Sequence, residues 1–309
     1  MNLKDSIRKT IAFFDLFDYP LTAEEVKRHL YQYDKPVHLK EIQGTLRQMA
    51  EAGDLEALKD FYVLRGRAAI IETRKSRKFM AEKLWNRVKL HAKTMQRVPF
   101  VRLVAVCNTL SYDNTDETSD IDLFVVTEPG HLWTGRFILT ALLHFFGVRR
   151  HGHKVAGRFC LSFFATSEKL NVGALQIKPV DPYLAYWTQN LTPIYGEAVY
   201  REFQRENQGW LKEKYGLSFL ESSQRHLYPL RESKLKRFCE WLLGNWFEHL
   251  LKKTFKKKTL ASAGKLGPEA SVIVSDDMLK FHNHDRRREF YERWLRTTST
   301  PLPPFRSTG

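Results

Sequence analysis

Apolar positions recur at helical spacing from the start of the chain. Leu3, Ile7, Ile11, Phe14 and Leu16 form one such run, which Tyr19-Pro20-Leu21-Thr22 stops before capping a second, short helix over Ala23 to Tyr31. After the polar break Tyr33 to Pro36, Leu39, Ile42, Leu46 and Met49 share one face of a third helix that closes at Gly53. The period then shortens. Leu55 to Leu58 and Phe61 to Leu64 are β-compatible runs separated by Lys59-Asp60, as in a hairpin. Ala69 to Val98 contains neither Gly nor Pro and carries Phe79, Leu84, Val88 and Met95 near helical spacing, which predicts a long linking helix. Arg74, Lys75, Arg77 and Lys78 make that helix basic, in positions open to phosphates or to solvent.

Farther on, the stretch Val101 to Thr127 is apolar and β-rich at both ends with a polar loop between, so it reads as strand, turn, strand. A helix over Leu132 to Phe146 and a strand over Gly157 to Thr166 follow. Asp181 to Leu191, Tyr200 to Leu211 and Leu235 to Leu251 read as helices, and their aromatic residues Tyr183, Trp187, Phe203, Trp210, Phe238, Trp241 and Trp246 are expected in the core. Lys252 to Lys258 is expected to fray into a linker, and the Thr, Ser and Pro of Thr297 to Gly309 to form a disordered tail.

Composition narrows the class. With 43% hydrophobic and 13% aromatic residues over 309 positions, the chain holds enough apolar material for two domains or for one domain with an appended module. No apolar run approaches the roughly 20 residues that cross a bilayer, so no membrane partner is expected. Cys107, Cys160 and Cys239 are far apart, odd in number and set among apolar neighbours, reading as core thiols of a reducing compartment; the expected location is cytoplasmic. A formal net charge of +15 favours polyanions: nucleic acid, a nucleoside triphosphate or an acidic surface.

The chemistry concentrates at Asp120-Ile121-Asp122-Leu123. Side chains alternate across a strand, so Asp120 and Asp122 project to one face and Ile121 and Leu123 to the other. Two carboxylates held together repel and contribute nothing to a core, whereas a divalent cation with oxygen ligands removes the conflict. Magnesium, which takes one or two protein carboxylates plus phosphate oxygens, suits the pair best. Two histidine groups read as ordinary surface: His144, His151 and His153 in a basic turn with Arg149, Arg150 and Lys154, and His282-Asn283-His284-Asp285 on a solvated, arginine-rich segment.

Two resemblances sharpen this reading. Three helices followed by a hairpin within residues 1–68 resemble a winged helix-turn-helix module, which implies that the third helix turns Lys40, Gln43, Arg47 and Gln48 outward, a face that can meet nucleic acid, though Glu41 and Glu51 lie on it too. The run from Val101 to Thr127 resembles the nucleotidyltransferase superfamily, which includes DNA polymerase beta, the aminoglycoside nucleotidyltransferases and the minimal enzymes of toxin–antitoxin pairs. Its pattern is a hydrophobic strand, Gly-Ser or Gly-Gly, a polar loop and Asp-hydrophobic-Asp-hydrophobic; here Asn108-Thr109 takes the Gly-Ser place and Leu110 to Ser119 the loop.

The second resemblance implies metal ions on Asp120 and Asp122, two Mg2+ in an active site, with Asn108, Thr109 and Ser119 near the triphosphate. The chain departs from the pattern in two ways. Asn108 stands where glycine is usual, and the strand expected to bring a third carboxylate, Gly157 to Thr166, has no Asp or Glu; Glu168 and Asp181 are the nearest acids beyond it. The expected fold class is α+β: a winged-helix-like domain at 1–68, a basic linking helix at 69–98, a nucleotidyltransferase-like mixed sheet with flanking helices at 99–177, a helical region at 178–255, and a linker, short helix and tail at 256–309. The expected function is metal-dependent nucleotidyl transfer from a nucleoside triphosphate to an acceptor; the alternative is a nucleic-acid-binding or nucleotide-sensing regulator with a degenerate transferase domain.

Overall fold

The computed structural model describes residues 1–219, 226–228, 233–265, 267, 270–282 and 284–299, so the tail expected from Thr297 onward lies outside the described residues beyond position 299. Helix α1 (Leu3–Asp15), strand β1 (Leu21–Thr22), helices α2 (Ala23–Arg28) and α3 (Leu39–Glu51) and the hairpin β2–β3 (Leu55–Leu58, Phe61–Leu64) open the chain. Asn2 caps α1, and Thr22 and Glu25 form a reciprocal capping box on α2, so both helices start where their side chains satisfy the first backbone N–H groups. The three short strands pair antiparallel in the order β1-β3-β2. Ile42, Leu46 and Met49 of α3 are buried, while Lys40, Arg47 and Gln48 are exposed on its other side.

Helix α4 (Ile70–Gln96) lies back against this N-terminal region, and two of its arginines are consumed there. Arg74 makes a bidentate pair with Glu25 at 2.6 and 2.7 Å and lies 4.3 Å from the Tyr19 ring centroid. Arg77 donates to the Phe17 carbonyl at 2.8 Å. These two cations are therefore structural, while Lys75 and Lys78 of the same run stay exposed.

The second half is built on a mixed six-stranded sheet in the order β7-β4-β5-β6-β9-β8. Its strands are β4 (Val101–Val106), β5 (Ile121–Thr127), β6 (Phe159–Thr166), β7 (Thr192–Tyr195), β8 (Ser271–Val274) and β9 (Met278–His282). Only β5 and β6 pair in parallel, joined through helix α5 (Leu132–Phe145); the other neighbours are antiparallel. Both faces are covered, which explains why β4 and β5 are nearly uniform apolar runs. Val104, Val106, Ile121, Leu123 and Val125 face α4 and α5, while Leu103, Ala105, Phe124 and Val126 face α6 (Pro182–Gln189) and α7 (Glu197–Tyr215). An α+β class with a mixed sheet and flanking helices is thus what the chain adopts.

The N-terminal helices share one core with the C-terminal half. Phe13 and Phe14 pack on Tyr186 of α6, and Trp294 of α10 (Arg287–Ser299) donates its indole N–H to the Lys9 carbonyl at 2.9 Å. Helix α8 (Lys234–Leu251) departs from expectation. Phe238, Trp241 and Trp246 are 55%, 77% and 61% exposed rather than in the core. The inner face of α8 instead mixes Leu251 and Phe247, packed on the sheet–α5 core, with polar contacts: Lys236 donates to the Gln96 and Val101 carbonyls, Glu240 pairs with Arg102, and Glu248 accepts from the first turn of α5. Non-helical backbone at Gly244 breaks the helix in its middle. The 256–309 segment, expected as linker and short helix, supplies α9 (Lys257–Ala263), the β8–β9 hairpin and α10.

Candidate functional site

Asp120 and Asp122 come together as the strand alternation requires. Asp122 shares its face of β5 with Phe124, and Asp120 sits one position before the strand, fixed by the Ile121 N–H to the Arg158 carbonyl at 2.8 Å and the Gly157 N–H to the Ser119 carbonyl at 2.8 Å. The parallel register sets Cys160 of β6 directly opposite Asp122. One ligand atom from each of Asp120, Asp122 and Cys160 lies within 4.8 Å of the others, forming a half-buried group able to hold a metal ion.

Cys160 is therefore not a core thiol, as its apolar neighbours suggested. It occupies the strand on which a third carboxylate was expected, and among apolar neighbours its sequence position carries no sign that the side chain meets Asp122. Burial first, then the charges of Asp122 and Asp120, push this thiol up to about 12, so it is protonated at neutral pH. The same causes, burial ahead of the Asp120 charge, raise the proton affinity of Asp122.

Asn108 begins a short 3-10 turn, Asn108–Tyr112, with φ of 57°, the left-handed conformation that glycine takes freely and asparagine tolerates best among the rest. Its amide N–H donates to Asp122 Oδ2 at 2.7 Å, which fixes that carboxylate and offsets part of its desolvation. The Cys107 backbone N–H to the Asp122 carbonyl at 3.0 Å holds the two strand ends together. Thr109, the next residue of this turn, is exposed. Ser119 is committed elsewhere: its hydroxyl donates to Asp116 Oδ1 at 3.0 Å and accepts from the Asp116 N–H at 2.9 Å. Of the three expected phosphate neighbours, the fold thus joins Asn108 directly to the carboxylate pair, sets Thr109 next to it and turns the Ser119 side chain into the loop.

Arg150 completes the polar centre. It is carried by the segment after α5, which pairs with the start of β6 through the Arg150 N–H to the Phe159 carbonyl at 2.9 Å, and its guanidinium reaches Asp120 Oδ2 at 2.7 Å and Cys160 Sγ at 3.6 Å. The basic turn read as ordinary surface is thus a wall of the site. So is the segment following β9: His282, His284, Asp285, Arg286 and Arg287 line the same cavity as Asn108, Asp122 and Cys160, together with Arg136, Arg149, Arg150 and Tyr183. The cavity measures about 680 Å³.

The sequence separation of roughly 160 residues hid this convergence; the strand that delivers it, β9, pairs with β6 and so brings the His282 region beside Cys160. Arg287 locks the turn in place with ion pairs to Asp285 at 2.7 Å and to fully buried Asp181 at 2.8 Å. Asp181 also caps α6 by accepting from the Leu184 N–H, so it serves the scaffold, and Glu168 is exposed past the end of β6.

Five arginines line this cavity against two aspartates, Asp122 and Asp285. Arg136 is the most confined: its guanidinium lies 4.5 Å from the Phe281 ring centroid and 5.2 Å from that of Phe164, and burial together with Arg149 brings it down to about 10. It remains charged at neutral pH in surroundings that disfavour charge, an arrangement that an anion in the cavity would relieve. Among the described residues, no helix is long and apolar enough to cross a membrane. Comparisons with protein-family models, with curated proteins and with solved structures return no match to this chain.

Proposed function

We propose that the cavity binds a nucleoside triphosphate together with a divalent cation, and that the chain transfers the nucleotidyl group to an acceptor hydroxyl. The observation that carries this reading is the pairing of two convergent carboxylates with a basic wall: Asp120 and Asp122 suit a cation, while Arg136, Arg149 and Arg286 around the same cavity suit polyphosphate. Neither half alone explains the other.

The donor set fits one hard cation. Two carboxylates can hold Mg2+ and leave its remaining positions to phosphate oxygens and water, whereas a protonated thiol is a poor ligand for it, so the two-ion arrangement of the resembled superfamily lacks its third oxygen ligand here. When bound, the ion would neutralise charge on the phosphates and the carboxylates. The chain's own residues do the rest: Asn108 orients Asp122, Arg150 balances Asp120 until a cation does so, and the arginines of the wall hold the pyrophosphate portion. In the reaction, the acceptor oxygen bonds to the α-phosphorus and gives up its proton to solvent as the bond between the α-phosphorus and the bridging oxygen breaks and pyrophosphate leaves.

A second reading, nucleotide binding without turnover, is favoured by Cys160 in the place of a third carboxylate and by the Arg150 clasp on Asp120. In that case the exposed Lys40, Arg47 and Gln48 of the winged-helix-like region would carry the output to nucleic acid. Magnesium-dependent nucleotide binding and pyrophosphate release, measured on the full chain and on the Asp120→Asn/Asp122→Asn double variant, separate the two. Release abolished in the variant supports transfer, binding without release supports the sensor, and absence of both removes the nucleotide reading.

A further inference from the structure

Beside the basic cavity lies a second one of about 280 Å³, formed where α1 of the N-terminal region meets α6. Its walls are mostly aromatic, with Phe13, Phe14 and Phe17 on one side and Tyr183 and Trp187 on the other. The two cavities share Asn108, Tyr183, Arg286 and Phe290 in their linings, so they abut along a common seam next to Asp122. At that seam the Tyr183 and Phe290 rings stack at 5.6 Å with an interplanar angle of 15°, and Phe17 meets Phe290 at 5.0 Å and 66°.

We propose that this aromatic chamber receives the nucleobase of the triphosphate whose phosphates occupy the basic cavity. The inference rests on the nucleotide reading and adds to it the part of the ligand that reaches across to the N-terminal helix. Three features support it. The chamber's volume lies just below the range of ligand pockets, about 300–1,000 Å³, so it suits a base-sized group and leaves sugar and phosphates outside. Its rings offer flat and edge surfaces for a planar heterocycle. Its seam with the other cavity runs past Asn108, which holds Asp122, so one ligand can contact both.

The polar groups of the chamber are largely committed within the protein. The Asn114 amide donates to the Phe17 carbonyl at 3.0 Å and its oxygen accepts from Arg77 at 3.3 Å, while the Tyr112 hydroxyl accepts from Asn190 at 3.3 Å. Recognition by stacking with few edge contacts tolerates every base, because each has a π face. The chamber therefore gives affinity for a base without strong choice among bases. Because Phe13 and Phe14 belong to α1 and Phe17 to the turn that follows it, base binding would also tie the N-terminal helix to the nucleotide state of the site.

The test compares the magnesium complexes of ATP, CTP and inorganic tripolyphosphate on the full chain by calorimetry, then repeats the comparison with Phe290→Ala, Phe290→Tyr and Phe17→Leu. Both nucleotides should bind at least about tenfold more tightly than tripolyphosphate, the loss expected from removing one base–aromatic stack. Phe290→Ala and Phe17→Leu should each narrow that gap while leaving tripolyphosphate affinity within about twofold, and Phe290→Tyr should restore it. Equal affinity for nucleotide and tripolyphosphate in the unaltered chain would overturn the chamber while sparing the basic cavity, as would a gap that survives both aromatic losses. Failure of all three ligands to bind would overturn the nucleotide reading and this inference together.

Discussion

Asp122 and Cys160 are direct register partners across the parallel β5–β6 pair, so the strand delivers a thiol beside the two carboxylates. This relationship gives a gain-of-function prediction. Cys160→Asp would put three carboxylates around one point, with Arg150 already within reach of both Asp120 and position 160. Without a cation the variant should be less stable than the parent by about 1 kcal/mol at neutral pH, because three like charges crowd a half-buried site. With Mg2+ or Mn2+ the order should reverse, and cation affinity should rise at least about tenfold. Thermal unfolding with and without the ion, together with calorimetric titration, checks both halves; an unchanged cation affinity would count against a metal site at this position.

A pH dependence follows from the joint between the N-terminal helices and α6. His29 is 4% exposed and its Nδ1 lies 2.8 Å from Gln189 Oε1. Gln189 Nε2 donates to the Arg28 and Ser218 carbonyls, which fixes Oε1 as the acceptor and Nδ1–H as the donor, so the ring is the neutral tautomer protonated at that nitrogen. Burial, the largest cause, lowers this imidazole from its ordinary 6.5 to about 4. The unfolded chain therefore binds a proton at a pH where the folded one does not. Stability is full above pH 6.5 and falls as the pH drops from 6.5 to 4, by at most about 3 kcal/mol, then levels off. His29→Asn keeps a donor to Gln189 without a titrating ring. Urea unfolding of both chains at pH 7, 5.5 and 4.5 should show a steeper loss in the parent; parallel losses would mean that His29 does not titrate as described.

The helices of the N-terminal region, the β2–β3 hairpin and the strand pair around Asp120 were all legible because each satisfies a local rule: a period, a cap or an alternation. Thr22, for example, announces α2 through a capping box that needs only neighbours in sequence. Convergence across distance was not legible. Nothing local indicates that His282 to Arg287 closes the cavity containing Asp122, since that depends on β9 pairing with β6 from more than a hundred residues away. Strand β7, with Pro193 in it, was likewise hidden, since proline weakens any strand reading and only its edge position beside β4 accommodates one. Arg74 and Arg77 show the converse error: a charge run on a helix says nothing of which charges already have partners on another helix or loop.

Helix α8 shows how far an aromatic stripe can mislead, since Phe238, Trp241 and Trp246 are exposed on it. Helix α5 starts at Leu132, but its N-cap residue His131 makes no side-chain capping bond. Glu248, reaching from α8, does the capping in trans: Oε1 accepts from the Trp133 N–H at 3.1 Å and Oε2 from the Thr134 N–H at 2.7 Å. A carboxylate is favoured there twice over, by the two otherwise unsatisfied buried N–H groups and by the positive end of the helix dipole. This explains why a glutamate is buried on the inner face of α8 beside Phe247 and Leu251, while Trp241 and Trp246 lie outside. Glu248→Ala should cost about 1–3 kcal/mol, since it leaves both N–H groups buried without acceptors, whereas Glu248→Gln, which retains one oxygen, should cost less than half as much. Hydrogen exchange should then accelerate at Trp133 and Thr134 in the alanine variant ahead of the sheet. If instead both substitutions are neutral and exchange at those two amides is unchanged, α8 is not what holds the start of α5, and the inward glutamate would need another reason.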